Sequence, residues 1–116
     1  MTWTLDNTLA NANRFKAYNR KHPAETASCI RNTMKLLDTL RGGVPFQNAK
    51  FGFLRSEGGG LWRVGQTGIP HAKETRLYFC VRGETLSVLC IGGKETQRGD
   101  IDMCRKIIAG LEGETK

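Results

Sequence analysis

Histidine is almost missing from this chain, with two in 116 residues, His22 and His71. Proton transfer near neutral pH leans on that side chain, so acid–base chemistry would fall to few groups here. Metal ligation has equally little to work with. Cys29, Cys80, Cys90 and Cys104 form no CxxC pair and have no zinc-like spacing. They read as reduced, mostly buried thiols of a cytoplasmic protein. No apolar run approaches the ~18 residues of a membrane span, and no signal-peptide pattern opens the chain. Gly58-Gly59-Gly60 precedes a strand, not a helix, and so lacks the setting of a phosphate loop. No cofactor and no membrane partner are expected.

What is present is positive charge. Eighteen basic residues face eleven acidic ones, for a net charge of +7. The excess concentrates between residues 41 and 82, where Arg41, Lys50, Arg55, Arg63, Lys73, Arg76 and Arg82 are opposed only by Glu57 and Glu74. A balance of this kind favours polyanions, nucleic acid before an acidic protein. The length suits one domain over residues 1–116, with residues 112–116 expected as a flexible tail.

Residues 61 to 101 carry the clearest pattern. Three short strands are expected at 61–64, 75–82 and 85–91. Arg82-Gly83-Glu84-Thr85 has glycine at the first central position of a two-residue II′ hairpin. That turn pairs Arg82 with Thr85, Cys80 with Ser87, Tyr78 with Leu89 and Arg76 with Ile91. Leu77, Phe79, Val81, Leu86, Val88 and Cys90 then share one apolar face, joined by Trp62 and Val64. Arg63, Arg76, Tyr78, Cys80 and Arg82 share the other, which is expected to lie open. A one-residue slip would bury the arginines at a large desolvation cost.

Elsewhere, Thr2-Trp3-Thr4-Leu5 alternates like a short edge strand. Asp6 or Asn7 can cap a helix running to about Arg20, with Leu9, Ala12, Phe15 and Ala17 inward. Pro23 suits the first position of a second helix, whose Ala27, Ile30, Met34, Leu37 and Leu40 recur at helical spacing before Gly42-Gly43. Residues 44–60 are expected as a loop over the core, and 65–73 as another. A last helix starts near Asp100 and buries Ile101, Cys104, Ile107 or Ile108, and Leu111. The fold class is α+β: a helical hairpin and a C-terminal helix packed on a twisted, mainly antiparallel sheet of three to four strands.

This order resembles the RelE/ParE/HigB superfamily of bacterial type II toxins. The likeness rests on the strand opening Thr75-Arg76-Leu77-Tyr78, on Gly92-Gly93-Lys94-Glu95-Thr96-Gln97, and on the helix start at Asp100-Ile101. The Lys-x-Thr-Gln then Asp-Ile pattern is closest in texture to the phage-related HigB-like branch. The resemblance implies a cytoplasmic bacterial mRNA endoribonuclease, usually ribosome-associated and neutralised by a cognate antitoxin protein. It places Arg76 and Arg63 against RNA phosphate, and Lys94 near the last basic catalytic position. Some members have a Tyr or His near the final helix. This chain has Gln97, Arg98, Asp100 and Ile101 there instead.

Metal-free RNA cleavage attacks phosphorus with the neighbouring 2′-hydroxyl, and guanidinium groups suit the charge that builds on the phosphorane. Arg63 and Arg76 are the first candidates; a merely solvated basic sheet face is the competing reading. His71 could transfer a proton, although an ordinary loop histidine is the commoner case. Lys94 could act as a base only beside other cations, and otherwise contacts phosphate. Arg55, Lys73, Tyr78, Arg82, Gln97 and Arg98 complete the expected RNA-binding set, with Tyr78 able to stack a base. Two other functions fit the sequence: a ParE-like inhibitor of DNA gyrase, and a non-catalytic, prophage-derived binding module.

Overall fold

A computed structural model describes residues 2–114. It is a small α+β fold in which three helices pack on a five-stranded mixed sheet. The elements are β1 (Thr4–Asp6), α1 (Ala12–Lys21), α2 (Pro23–Arg41), β2 (Leu54–Gly58), β3 (Leu61–Gly65), β4 (Thr75–Arg82), β5 (Thr85–Gly93) and α3 (Gln97–Glu114). Single 3-10 turns occupy Phe46–Asn48 and Lys94–Thr96. The sheet order is β1-β5-β4-β3-β2, with β1 parallel to β5 and every other pair antiparallel.

The β4–β5 hairpin forms as its turn requires. Gly83 sits at φ 60°, which a side-chain-bearing residue would resist. Arg82 pairs with Thr85, Val81 with Leu86, Cys80 with Ser87 and Phe79 with Val88. A bulge then inserts Leu89, and the register shifts so that Tyr78 meets Cys90, Leu77 meets Ile91 and Arg76 meets Gly92. The expected pairs of Tyr78 with Leu89 and Arg76 with Ile91 do not form. The bulge turns Leu89 and Cys90 toward one cluster with Tyr78, Cys80 and Cys104, while Leu77, Phe79, Val81, Leu86 and Val88 keep the other face. No turn signal in the sequence announces that extra residue.

The face expected to be open is covered. α3 lies across it, with Cys104 fully buried and Ile101, Ile107, Ile108 and Leu111 packed on Leu61, Tyr78 and Leu89. Both sheet faces are therefore core, with α2 closing one and α3 the other. α3 begins at Gln97, earlier than Asp100, and continues to Glu114. Helix thus occupies residues 112–114, where a tail was expected; Thr115 and Lys116 lie outside the described residues.

α2 is rotated from the expected orientation. Leu37 and Leu40 are buried as their spacing predicts, but Ala27, Ile30 and Met34 face solvent. Thr26, Ser28, Cys29, Asn32, Thr33 and Leu36 are buried in their place. The reason is polar. Ser28 Oγ both donates to Thr67 O (3.1 Å) and accepts from Thr67 N (2.9 Å), while Asn32 Nδ2 donates to Gly65 O (2.9 Å) and to Thr67 Oγ1 (3.1 Å). These bonds fasten the β3–β4 loop to the helix. Burying the same groups without partners would cost roughly 1–3 kcal/mol each.

α1 also starts later than expected, at Ala12, because Asn11 is its cap: the Arg14 amide donates to Asn11 Oδ1 at 3.1 Å. Asp6 instead closes a local turn, accepting from the Thr8 amide (3.2 Å) and hydroxyl (2.8 Å). Ala12 and Ala17 are exposed, whereas Leu9 and Phe15 pack inward. Residues 54–58 form the edge strand β2 where a loop was expected, with Leu54 opposite Val64 and Arg55 opposite Arg63.

Candidate functional site: an arginine cleft at the end of the sheet

Pairing across β2, β3 and β4 decides which basic residues meet. Arg55 stands opposite Arg63, Arg63 opposite Tyr78, and Gly65 opposite Arg76. Directly paired residues share a face and so do alternate ones, which puts Arg55, Arg63 and Arg76 on the α3 side of the sheet. All three line one open cleft of about 200 Å3, together with Phe53, Gln66, Thr67 and Glu74. The cleft opens beside the first turn of α3. Its loop wall is the segment that Ser28 and Asn32 hold, so the helical hairpin positions the site from the opposite face.

Each arginine is held differently. Arg76 is buried, with 7% of its surface exposed; Nη1 donates to Gln97 Oε1 (2.9 Å) and Nη2 to Glu74 Oε1 (2.8 Å). Its Nε is buried without a hydrogen-bond partner. Arg63 is half-buried, and its Nε lies 3.9 Å from Glu57 Oε1, too far for a hydrogen bond. Arg55 is exposed. A buried guanidinium with unmatched donors is incompletely compensated, and an oxyanion in the cleft would offset part of that cost. The expectation that Arg76 would stand in the open therefore needs correction. It survives burial because Glu74 and Gln97 meet it from either side.

Glu74 joins the arginines in the cleft. Among the described residues it is the only carboxylate lining the cleft, and no sequence motif distinguishes it from other surface glutamates. Only its contact with Arg76 does.

α3 is anchored beside the cleft by a second buried charge. Asp100 is 3% exposed, accepting from Arg14 Nη2 at 2.5 Å and from Thr96 Oγ1 at 2.8 Å. Its carboxylate rests on Gly92, where a β-carbon would come within 2.0 Å of Asp100 Oδ2. Gly92 is the residue paired with Arg76. The Gly92-Gly93 and Asp100 elements thus act as one device: the missing side chain admits the carboxylate, which fixes the turn that presents Gln97 to Arg76.

The remaining expected site residues fall elsewhere. Tyr78 is wholly buried under α3, its hydroxyl has no partner, and burial pushes its pKa well above the ordinary phenol value. It offers no face for a base to stack on. Arg82 is exposed at the far end of β4, about 20 Å along the strand from Arg76 at ~3.3 Å per residue. Lys73 pairs with Glu95 at 2.9 Å, and its amide donates to Glu25 Oε2. His71 is exposed in the β3–β4 loop at φ 56°, outside the cleft lining. Lys94 and Arg98 are exposed on either side of Gln97's turn but do not line the cleft.

All four cysteines are free and buried, as expected. Burial pushes Cys29 and Cys104 up to about 12 and Cys90 to about 11, from an ordinary value of 9.0, which makes them poor nucleophiles. Among the described residues, no three His, Cys, Asp or Glu side chains gather as candidate metal ligands. No helix among them is long and apolar enough to cross a membrane.

Fold and site together define a small α+β domain with an arginine cleft at one end of its sheet. Comparison with protein-family models, with curated proteins and with solved structures returns no match.

Proposed function

We propose that the protein is a cytoplasmic endoribonuclease that cleaves mRNA, acting as the toxin of a toxin–antitoxin pair. The observation that carries this reading is the convergence of Arg55, Arg63 and Arg76 on one cleft that Glu74 also lines. In this mechanism Arg63 and Arg76 grip the scissile phosphate. Glu74 takes the proton from the 2′-hydroxyl as its oxygen bonds to phosphorus. The bond from phosphorus to the 5′ oxygen breaks as a water protonates the departing oxygen, Glu74 returns its proton to the hydroxide so formed, and a 2′,3′-cyclic phosphate remains. The guanidinium groups stabilise the charge that grows on the phosphorane oxygens. Arg55, at the rim, holds a neighbouring phosphate. Lys94 and Arg98 extend the basic surface along the strand's path.

The sequence resemblance and the basic excess support this reading. A second reading is favoured by one observation: among the described residues no histidine or tyrosine lines the cleft. That suits a protein that binds a polyanion or inhibits gyrase without cutting RNA. Primer extension on a defined mRNA, with and without translating ribosomes, separates the two. Cleavage gives new 5′ ends that disappear with Arg63→Ala/Arg76→Ala and diminish strongly with Glu74→Gln. No new ends under either condition would discard the nuclease.

A further inference from the structure

The three large hydrophobic side chains left exposed among the described residues are Leu5, Ile30 and Met34, at 39%, 46% and 37% of their surface. They are clustered. Leu5 and Ile30 line an open groove of about 420 Å3 between β1, α1 and α2, whose wall is Phe15 and whose floor is Leu77 and Val88. Met34 stands one turn beyond Ile30 on α2 and continues the apolar strip. The groove exists because α2 turns its polar residues inward to hold the β3–β4 loop, which leaves Ile30 and Met34 outward. Its floor belongs to the sheet face opposite Arg63 and Arg76, so an occupant here leaves the arginine cleft free.

The surrounding charge indicates what fits. α1 and α2 carry seven basic residues (Arg14, Lys16, Arg20, Lys21, Arg31, Lys35, Arg41) against two acidic ones, Glu25 and Asp38. Lys16 itself lines the groove. A second copy of the chain would bring +7 against +7, so self-docking is electrostatically opposed. A bilayer is matched by projecting apolar side chains, whereas these surround a recess that accepts side chains from outside. We propose that this groove docks an acidic amphipathic helix of a protein partner, which inserts two or three apolar side chains between α1 and α2 while its carboxylates face Lys16 and the basic hairpin. The occupant need not be a substrate of the cleft, and the inference does not depend on the nuclease reading.

The test uses the full chain and three fluorescent 18-residue peptides. One has leucines on a single helical face among glutamates, one has the same composition with the leucines scattered, and one replaces glutamate by lysine. The first is expected to bind and the other two to bind at least several-fold more weakly. Ile30→Glu should weaken the first roughly tenfold or more, with no loss of thermal stability because Ile30 faces solvent. Lys16→Glu should weaken it several-fold at low salt only. Arg63→Ala/Arg76→Ala should leave it unchanged. Equal binding of the scattered peptide, insensitivity to Ile30→Glu, or no binding would overturn the proposal. So would a concentration-dependent dimer in sedimentation, or binding to phosphatidylglycerol vesicles, if Ile30→Glu abolished that instead.

Discussion

Replacing Gly92 by alanine should be among the most damaging single-methyl changes this protein can suffer. The added β-carbon would lie 2.0 Å from Asp100 Oδ2, 2.8 Å from Thr96 Oγ1 and 3.1 Å from Asp100 Cγ. Since carbon–heavy-atom contacts settle near ~3.5 Å, the carboxylate must retreat by more than about 1 Å. Asp100 is buried and held by Arg14 and Thr96, so retreat breaks a largely buried charge pair. Losing such a pair costs roughly 3–5 kcal/mol. The Arg14 side chain is 30% exposed and regains some hydration, which brings the expectation to about 3 kcal/mol. For a chain of this length that corresponds to a fall in Tm of roughly 10–15 °C. Thermal and urea denaturation followed by circular dichroism would measure it. Gly99→Ala is the control: nothing lies within 4 Å of its would-be β-carbon, and it sits within α3, so it should stabilise by ~0.5–1 kcal/mol. Combined with Asp100→Ala, the Gly92 change should add little further loss. Strict additivity of the two, or a Gly92→Ala variant within about 0.5 kcal/mol of the parent, would refute the steric argument.

Three further outcomes are expected. Arg63→Ala and Arg76→Ala should each flatten the salt dependence of single-stranded RNA binding by ~0.7 in log–log slope, whereas Arg82→Ala at the far end of β4 should not; filter binding across a salt series decides this. Tyr78→Phe removes a buried hydroxyl that has no partner, and should raise stability by up to about 1 kcal/mol in urea denaturation. If RNA cleavage occurs, that variant should leave it intact; a large loss of cleavage would mean Tyr78 reaches the substrate. Stability should fall on the alkaline side. The thiols of Cys29, Cys90 and Cys104 titrate higher folded than unfolded, so the unfolded chain loses those protons first. The stabilisation is complete below about pH 9 and declines on the order of several kcal/mol as pH rises toward 12. A urea midpoint that stayed flat over that range would contradict the burial of these groups.

The sequence alone was sufficient wherever local chemistry fixes geometry. Gly83 specified the hairpin turn and, with it, the register of the first four β4–β5 pairs. Alternation then placed Arg63 and Arg76 on one face. Pro23 marked the start of α2, and the spacing of Ile101, Cys104 and Leu111 marked the inward side of α3. Those features arise from interactions between near neighbours in the chain. Other features were settled between distant segments, where the decisive contact had no local signature. The bulge at Leu89 answers to α1, whose cap residue Asn11 donates its amide to Leu89 O at 3.3 Å. α2 turned its polar side inward because the β3–β4 loop offered Thr67 and Gly65 as partners, an advantage hydrophobic periodicity cannot register. Tyr78 and Arg76 occupy the same sheet face, yet α3 buries one in an apolar cluster while Glu74 and Gln97 sustain the other at a cleft. Periodicity assigns a residue to a face; what covers that face depends on how the charge, volume and hydrogen-bonding needs of separate elements are met together, and only the tertiary structure decided that.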